Sequence, residues 1–223
     1  MNNLVPDSIA RSSHHQGEAS KFPNQHRWKK IMKILITTPN GRVGGKIVPE
    51  LLAPEFSVRV ITRNPGGLPR DIREQVEIVR GSTDDASTLR EALEGVDAMF
   101  WCIPRPWLQE TNVRRHYERF ARAASKAIRE AGTPRVVSIS ADPRSALPEM
   151  EDILNESGAA IRHLRCGRFT ENPYIPISTA AAADIADVAL RLLVRTDWNG
   201  IESLSLRGLA DPEHDQLFET LLT

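Results

Sequence analysis

The run Thr37-Thr38-Pro39-Asn40-Gly41-Arg42-Val43-Gly44 has the residue types and spacing of a phosphate-holding turn. Apolar residues from Met32 to Ile36 precede it, and Val43, Ile47, Val48, Leu51 and Leu52 share one helical face after it. A strand that passes through a small-residue turn into a helix aims backbone N–H groups at an anion, and a pyrophosphate suits that geometry. Gly41 lets the backbone come close to the anion, and Gly44 lets the helix approach the strand. Thr38 stands where such turns usually carry their first glycine. Thr37, Thr38, Asn40, Gly41, Arg42, Val43 and Gly44 are the first set of candidate cofactor contacts.

A second site lies roughly twenty residues on, the usual interval in a dinucleotide-binding unit. Ser57-Val58-Arg59-Val60-Ile61-Thr62 reads as a strand, and Arg63 follows at its tip. An acidic residue at such a tip accepts from the ribose 2′-hydroxyl of NAD. Arginine instead offers a planar fork of donors to a 2′-phosphate, so the residue favours NADP over NAD. The plainer alternative is a solvated side chain at a strand end. Arg42, inside the turn, is a second candidate phosphate contact.

These residues need a scaffold, and the rest of the sequence supplies one. Strands are expected over 32–36, 57–62, 76–80, 96–103, 135–140, 160–165 and 203–206. Helices are expected after the first turn and over 68–75, 86–94, 108–131, 146–157, 180–194 and 212–222. Asp85 is placed to cap the third of these, and Gly95 to end it. The alternation implies a doubly wound parallel sheet of the α/β class, Rossmann-like, covered on both faces. Open sheets of this kind hold ligands at the carboxyl ends of their strands. Asp85, Ile103, Pro104 and Ser140 are therefore added as cofactor contacts, and Trp107, Phe169 and Asn172 as substrate-pocket candidates. Pro49 conflicts with the first helix, where it removes a hydrogen bond and costs about 3 kcal/mol.

Composition sets the outer bounds. The chain has 223 residues, enough for one α/β domain, and 40% of them are hydrophobic. No apolar run reaches membrane-spanning length, so a soluble protein is expected. Lys plus Arg and Asp plus Glu each number 29, and zero net charge argues against a general grip on nucleic acid while leaving a local patch open. Two cysteines, Cys102 and Cys166, fall on separate strand ends, which suits reduced thiols in a cytoplasm. No metal ligand set is expected, because His14-His15 lacks partners. Residues 1–31 are polar, contain the basic cluster His26-Arg27-Trp28-Lys29-Lys30, and read as a disordered leader. The folded domain is expected over 32–223, with an abbreviated substrate lobe from about 166.

Taken in order, several segments resemble the NmrA-like branch of the atypical short-chain dehydrogenase/reductases. They are the 37–44 turn, Thr62-Arg63-Asn64-Pro65, Leu89-Arg90-Glu91-Ala92-Leu93-Glu94-Gly95-Val96-Asp97 and Arg135-Val136-Val137-Ser138-Ile139-Ser140. Leu164-Arg165-Cys166-Gly167-Arg168-Phe169-Thr170-Glu171-Asn172 and Asp184-Ile185-Ala186-Asp187 follow. The resemblance implies an NAD(P)-binding Rossmann fold and a small C-terminal substrate lobe. Only residues 173–183 separate the Glu-Asn and Asp-Ile-Ala-Asp segments, a shorter stretch than relatives carry.

Short-chain dehydrogenases use a Tyr-x-x-x-Lys pair, in which the cation lowers the tyrosine's pKa for acid–base work. That pair is absent: Tyr117 and Tyr174 have no lysine four residues on, and Lys126 is the last lysine. Ser140 matches the strand-end position of the family's catalytic serine. Two readings follow. One is an NADPH-dependent reductase of a quinone-like or other conjugated small molecule, which accepts hydride without a protein acid. The other is a non-catalytic redox sensor that binds NAD(P) and signals to a protein partner. His116 and His163 read as structural or solvent-facing, without recognisable partners.

Overall fold

The computed structural model describes residues 31–104, 112–141, 148–166 and 179–206. Strand β1 (Met32–Ile36) leads into helix α1 (Gly44–Glu50), then β2 (Phe56–Thr62), α2 (Arg70–Arg73) and β3 (Glu77–Arg80). Next come α3 (Ala86–Leu93), β4 (Ala98–Trp101), α4 (Val113–Ala131) and β5 (Arg135–Ala141). The described chain closes with α5 (Pro148–Asn155), β6 (Ala160–Cys166), α6 (Thr179–Val194) and β7 (Ile201–Leu206).

All seven strands pair in parallel in the order β3-β2-β1-β4-β5-β6-β7. Strand order reverses between β1 and β4, and that crevice is where a doubly wound sheet receives its ligand. Period-two alternation sends strand side chains to opposite faces. Ile34, Ile36, Phe100, Val137 and Leu164 pack against α1 and α6, whereas Leu35, Met99, Trp101, Val136 and Ile161 face α3, α4 and α5. Two apolar layers thus clamp one sheet, as the near-continuous apolar strands require.

Helix boundaries follow local chemistry. Asp85 caps α3 by accepting from the Thr88 N–H at 2.8 Å. Gly132 ends α4 at φ 66°, a left-handed conformation that favours glycine. Pro49 leaves the Gly45 carbonyl without an i+4 N–H, and α1 stops at Glu50, one residue later. The Leu51 and Leu52 N–H groups then bond to Val48 and Pro49 carbonyls in a tightened last turn. Residues 179–206, within the expected reduced C-terminal lobe, pack α6 on the sheet and add β7 to its edge. The leader, the 212–222 helix and most of the expected substrate lobe lie outside the described residues.

Candidate functional site

The carboxyl ends of β1 and β4 are stapled together by one side chain. Thr37, 3% exposed, donates its hydroxyl toward the Phe100 and Cys102 carbonyls at 3.1 and 3.3 Å and accepts from the Cys102 N–H at 3.1 Å. With its hydrogen-bonding capacity used inside the protein, Thr37 shapes the turn that follows. In that turn the Gly41 N–H bonds the Thr38 carbonyl at 2.9 Å, and the Gly45 N–H bonds the Gly41 carbonyl at 2.8 Å.

The glycines are required by close approach. A Cβ on Gly44 would stand 2.2 Å from the Thr38 carbonyl oxygen, and one on Gly41 would stand 3.1 Å from it. The helix therefore starts against the backbone of the turn, as expected for Gly44. Val43 is buried at the N-cap position and supplies no side-chain cap. The Gly45 and Lys46 N–H groups bond to the Gly41 and Val43 carbonyls, and the partial positive charge of the α1 amino end is directed at the turn. Asn40 and Arg42 are exposed on the rim.

The tip of β2 closes on the same rim. Arg63 and Asn64 are exposed, and Pro65–Gly67 form a single 3-10 turn behind them. A Cβ on Gly67 would lie 3.2 Å from the Asn40 amide nitrogen, so the two loops meet at this point. Thr38, Asn40, Gly41, Arg42, Gly44 and Arg63 thus surround one corner of the carboxyl edge.

Asp85 is occupied differently. Its Oδ2 accepts from the Thr88 N–H and from the Thr88 and Ser87 hydroxyls at 2.8, 2.7 and 2.5 Å. Those bonds, led by Ser87, pull its carboxyl down to about 2. Helix capping accounts for the residue. Ile103 packs against the α3–α5 layer, and the Pro104 carbonyl accepts from His116 Nε2 at 2.9 Å. Trp107, Phe169 and Asn172 lie outside the described residues.

Ser140 belongs to a polar cluster that sequence reasoning missed. Its hydroxyl donates to Glu151 on α5. The same carboxylate accepts from Arg165 Nε and Nη2 at 2.9 and 2.6 Å and from the Ser203 hydroxyl at 3.2 Å. Burial pushes the Glu151 carboxyl up, but the bonds from Arg165 and Ser140 outweigh it and hold it below the usual carboxylate value. Beside it, the Ser138 hydroxyl donates to His163 Nδ1 at 2.7 Å, and Nε2–H donates to the Asn155 carbonyl oxygen at 2.8 Å. Burial is the largest cause of the lowered His163 value. His116 and His163 are thus buried and partnered rather than solvent-facing. The available signal was the spacing of Glu151 and Asn155, one helical turn apart on the stripe of α5 that meets the sheet.

The two thiols are inert in character. Burial raises Cys102 to about 11 and Cys166 to about 12, so both stay protonated near neutrality.

Comparison with solved structures agrees with this architecture. Escherichia coli NADPH-dependent quinone oxidoreductase QOR2, complexed with NADPH, superposes with a TM-score of 0.61 at 21% identity, over 78% of this chain and 69% of that one. Citrobacter sp. triphenylmethane reductase complexed with NADP(H) gives a TM-score of 0.64 at 17% identity, over 79% and 70% of the two chains. A nucleoside-diphosphate-sugar epimerase from Staphylococcus aureus gives 0.61 at 18% identity, over 79% and 71%. No curated protein matches the chain significantly. Among the described residues no helix is long and apolar enough to cross a membrane. Residues 39–195 match the NAD(P)H-binding family, in line with the resemblance to atypical short-chain dehydrogenase/reductases, and the chain belongs to that family.

Proposed function

We propose that this protein binds NADPH at the carboxyl edge of β1 and β2 and reduces a quinone-like or otherwise conjugated small molecule. The observation that carries the reading is the cradle at that edge. The lack of side chains at Gly44 and Gly41 lets the turn fold tightly onto the start of α1, and the exposed arginines Arg42 and Arg63 stand on its rim. The α1 amino end suits a pyrophosphate, and Arg63 suits a 2′-phosphate better than a 2′-hydroxyl.

When bound, the nicotinamide ring supplies hydride chemistry. The protein's own part is to hold the dinucleotide by its phosphates and to fix the turn through the Thr37 staple. Tyr117 is half-buried on α4, edge-on to His116 with ring centres 5.4 Å apart, and no lysine follows it four residues on. Ser140 spends its proton on Glu151. A substrate whose negative charge spreads over a conjugated system needs no protein acid, because water can protonate it. The similarity of fold to a quinone oxidoreductase and a triphenylmethane reductase supports that substrate class.

Titration with NADPH and NADH, followed by NADPH oxidation across a quinone panel, tests the reading. Tighter binding of NADPH and quinone-dependent oxidation are expected. Oxidation no faster than the protein-free rate across the panel rules out the reductase. Binding without turnover, with different affinities for oxidised and reduced nucleotide, favours the sensor instead.

A further inference from the structure

Helix α4 carries an outward ridge that the nucleotide site does not use. Its sequence holds six arginine or lysine residues and two glutamates, in a chain whose acids and bases balance at 29 each. Arg115, Arg119, Arg122, Lys126 and Arg129 are all exposed. Their spacing repeats every three or four residues, so they form one stripe along the helix. At 1.5 Å per residue the stripe extends about 21 Å, with a cation roughly every 5 Å.

Neighbouring acids do not cancel it. Glu149 of α5 is engaged by Arg114, which lies off the stripe, at 2.6 Å. Arg119 reaches Asp84 at 3.0 Å, and Lys126 reaches Glu130 at 3.8 Å, yet both cations keep half or more of their surface, 51% and 70%. Arg129 donates to the Glu156 carbonyl and retains its charge. Among the described residues Arg115 and Arg122 make no ion pair with an acid.

We infer that this ridge is a docking surface for the phosphate backbone of duplex DNA. A row of cations about 5 Å apart, bordered by Glu118 and Glu130, complements the dense negative charge of a duplex, one per about 1.7 Å of its axis. A protein partner would require apolar or aromatic anchors, and the middle of the ridge exposes none. A single strand would require stacking rings, but Phe120 is buried and Tyr117 lies half-buried against His116. The ridge ends at the amino edge of the sheet. Such a surface reads charge and not base sequence.

The test is fluorescence anisotropy of the full chain with a labelled 20-bp duplex. Between 50 and 200 mM salt, log K should fall with log salt at a slope of roughly −3 to −4.5, the range for three to five phosphate contacts. R115E/R122E should weaken binding at least tenfold and flatten the slope by about 2. R70E/R73E on α2 makes the same charge change elsewhere and should stay within twofold of wild type. Circular dichroism and melting establish that each variant is folded, with R115Q/R122Q as substitute if the reversal is not. No duplex binding at 50 mM salt, or equal weakening by the α2 control, overturns the inference. Tighter binding of a single strand or of polyglutamate than of the duplex overturns it as well.

Discussion

Single residues in the candidate site divide into those that face a ligand and those that hold the frame. Arg63 is proposed as one of the first kind. Replacing it with alanine removes a charge-assisted contact to a 2′-phosphate, worth about 1.5–3 kcal/mol. NADPH affinity should therefore drop tenfold or more while NADH affinity barely moves, as read by paired titrations. Equal loss for both cofactors would assign Arg63 a general structural role. Asp85 is of the second kind. Its carboxylate holds the first turn of α3 through Thr88 and Ser87. Asp85→Ala should lower the melting temperature by a few degrees and leave nucleotide affinity nearly unchanged. A collapse of affinity without loss of stability would return Asp85 to the ligand-facing set. The fall of its carboxyl to about 2 also means that this stabilisation is complete above an ordinary value of 3.8 and fades as pH drops through 2.

At the scale of elements, the turn between β1 and α1 is the least tolerant piece. Gly44→Ala would drive a Cβ to within 2.2 Å of the Thr38 carbonyl, a backbone atom that cannot rotate away. Overpacking of this sort costs about 1–3 kcal/mol, and here it also displaces the cradle. Both NADPH and NADH binding should be lost, and unchanged titrations would show that the turn is softer than its packing indicates. Elements were legible in the sequence where local chemistry decided them. Asp85 before α3, Gly95 and Gly132 after helices, and apolar runs buried on both faces all carry their signal within a few residues. The reach of α1 was legible only in part, because Pro49 argues against helix and says nothing about a helix that ends one residue later. Residues meeting across the sheet were not legible at all. Glu151 finds Ser140, Arg165 and Ser203 from three different strands, and that convergence exists only once β5, β6 and β7 lie side by side.

For the molecule as a whole, acid sensitivity is spread over both halves of the sheet but differs in kind. On β2 and β3 the buried Arg59 pairs with Glu77 at 2.8 Å, whereas the layer between α5 and β5–β7 contains a second ion pair and a buried imidazole. Glu151 in the native state lies below its ordinary value of 4.5, so its contribution is complete above that value and is lost as pH falls further. His163 lies below its ordinary value of 6.5, so the unfolded chain takes up a proton that the native state resists. Stability should therefore start to fall below about pH 6.5 and fall faster below about 4.5. Urea midpoints at pH 8, 6 and 5 measure the first limb, and His163→Gln should flatten it. Glu151→Gln should cost roughly 2–3 kcal/mol at pH 7, less than a fully buried pair because Arg165 keeps a third of its surface. Wild-type midpoints that stay level from pH 8 to pH 5 would mean that His163 titrates as freely in the native state as in the unfolded chain.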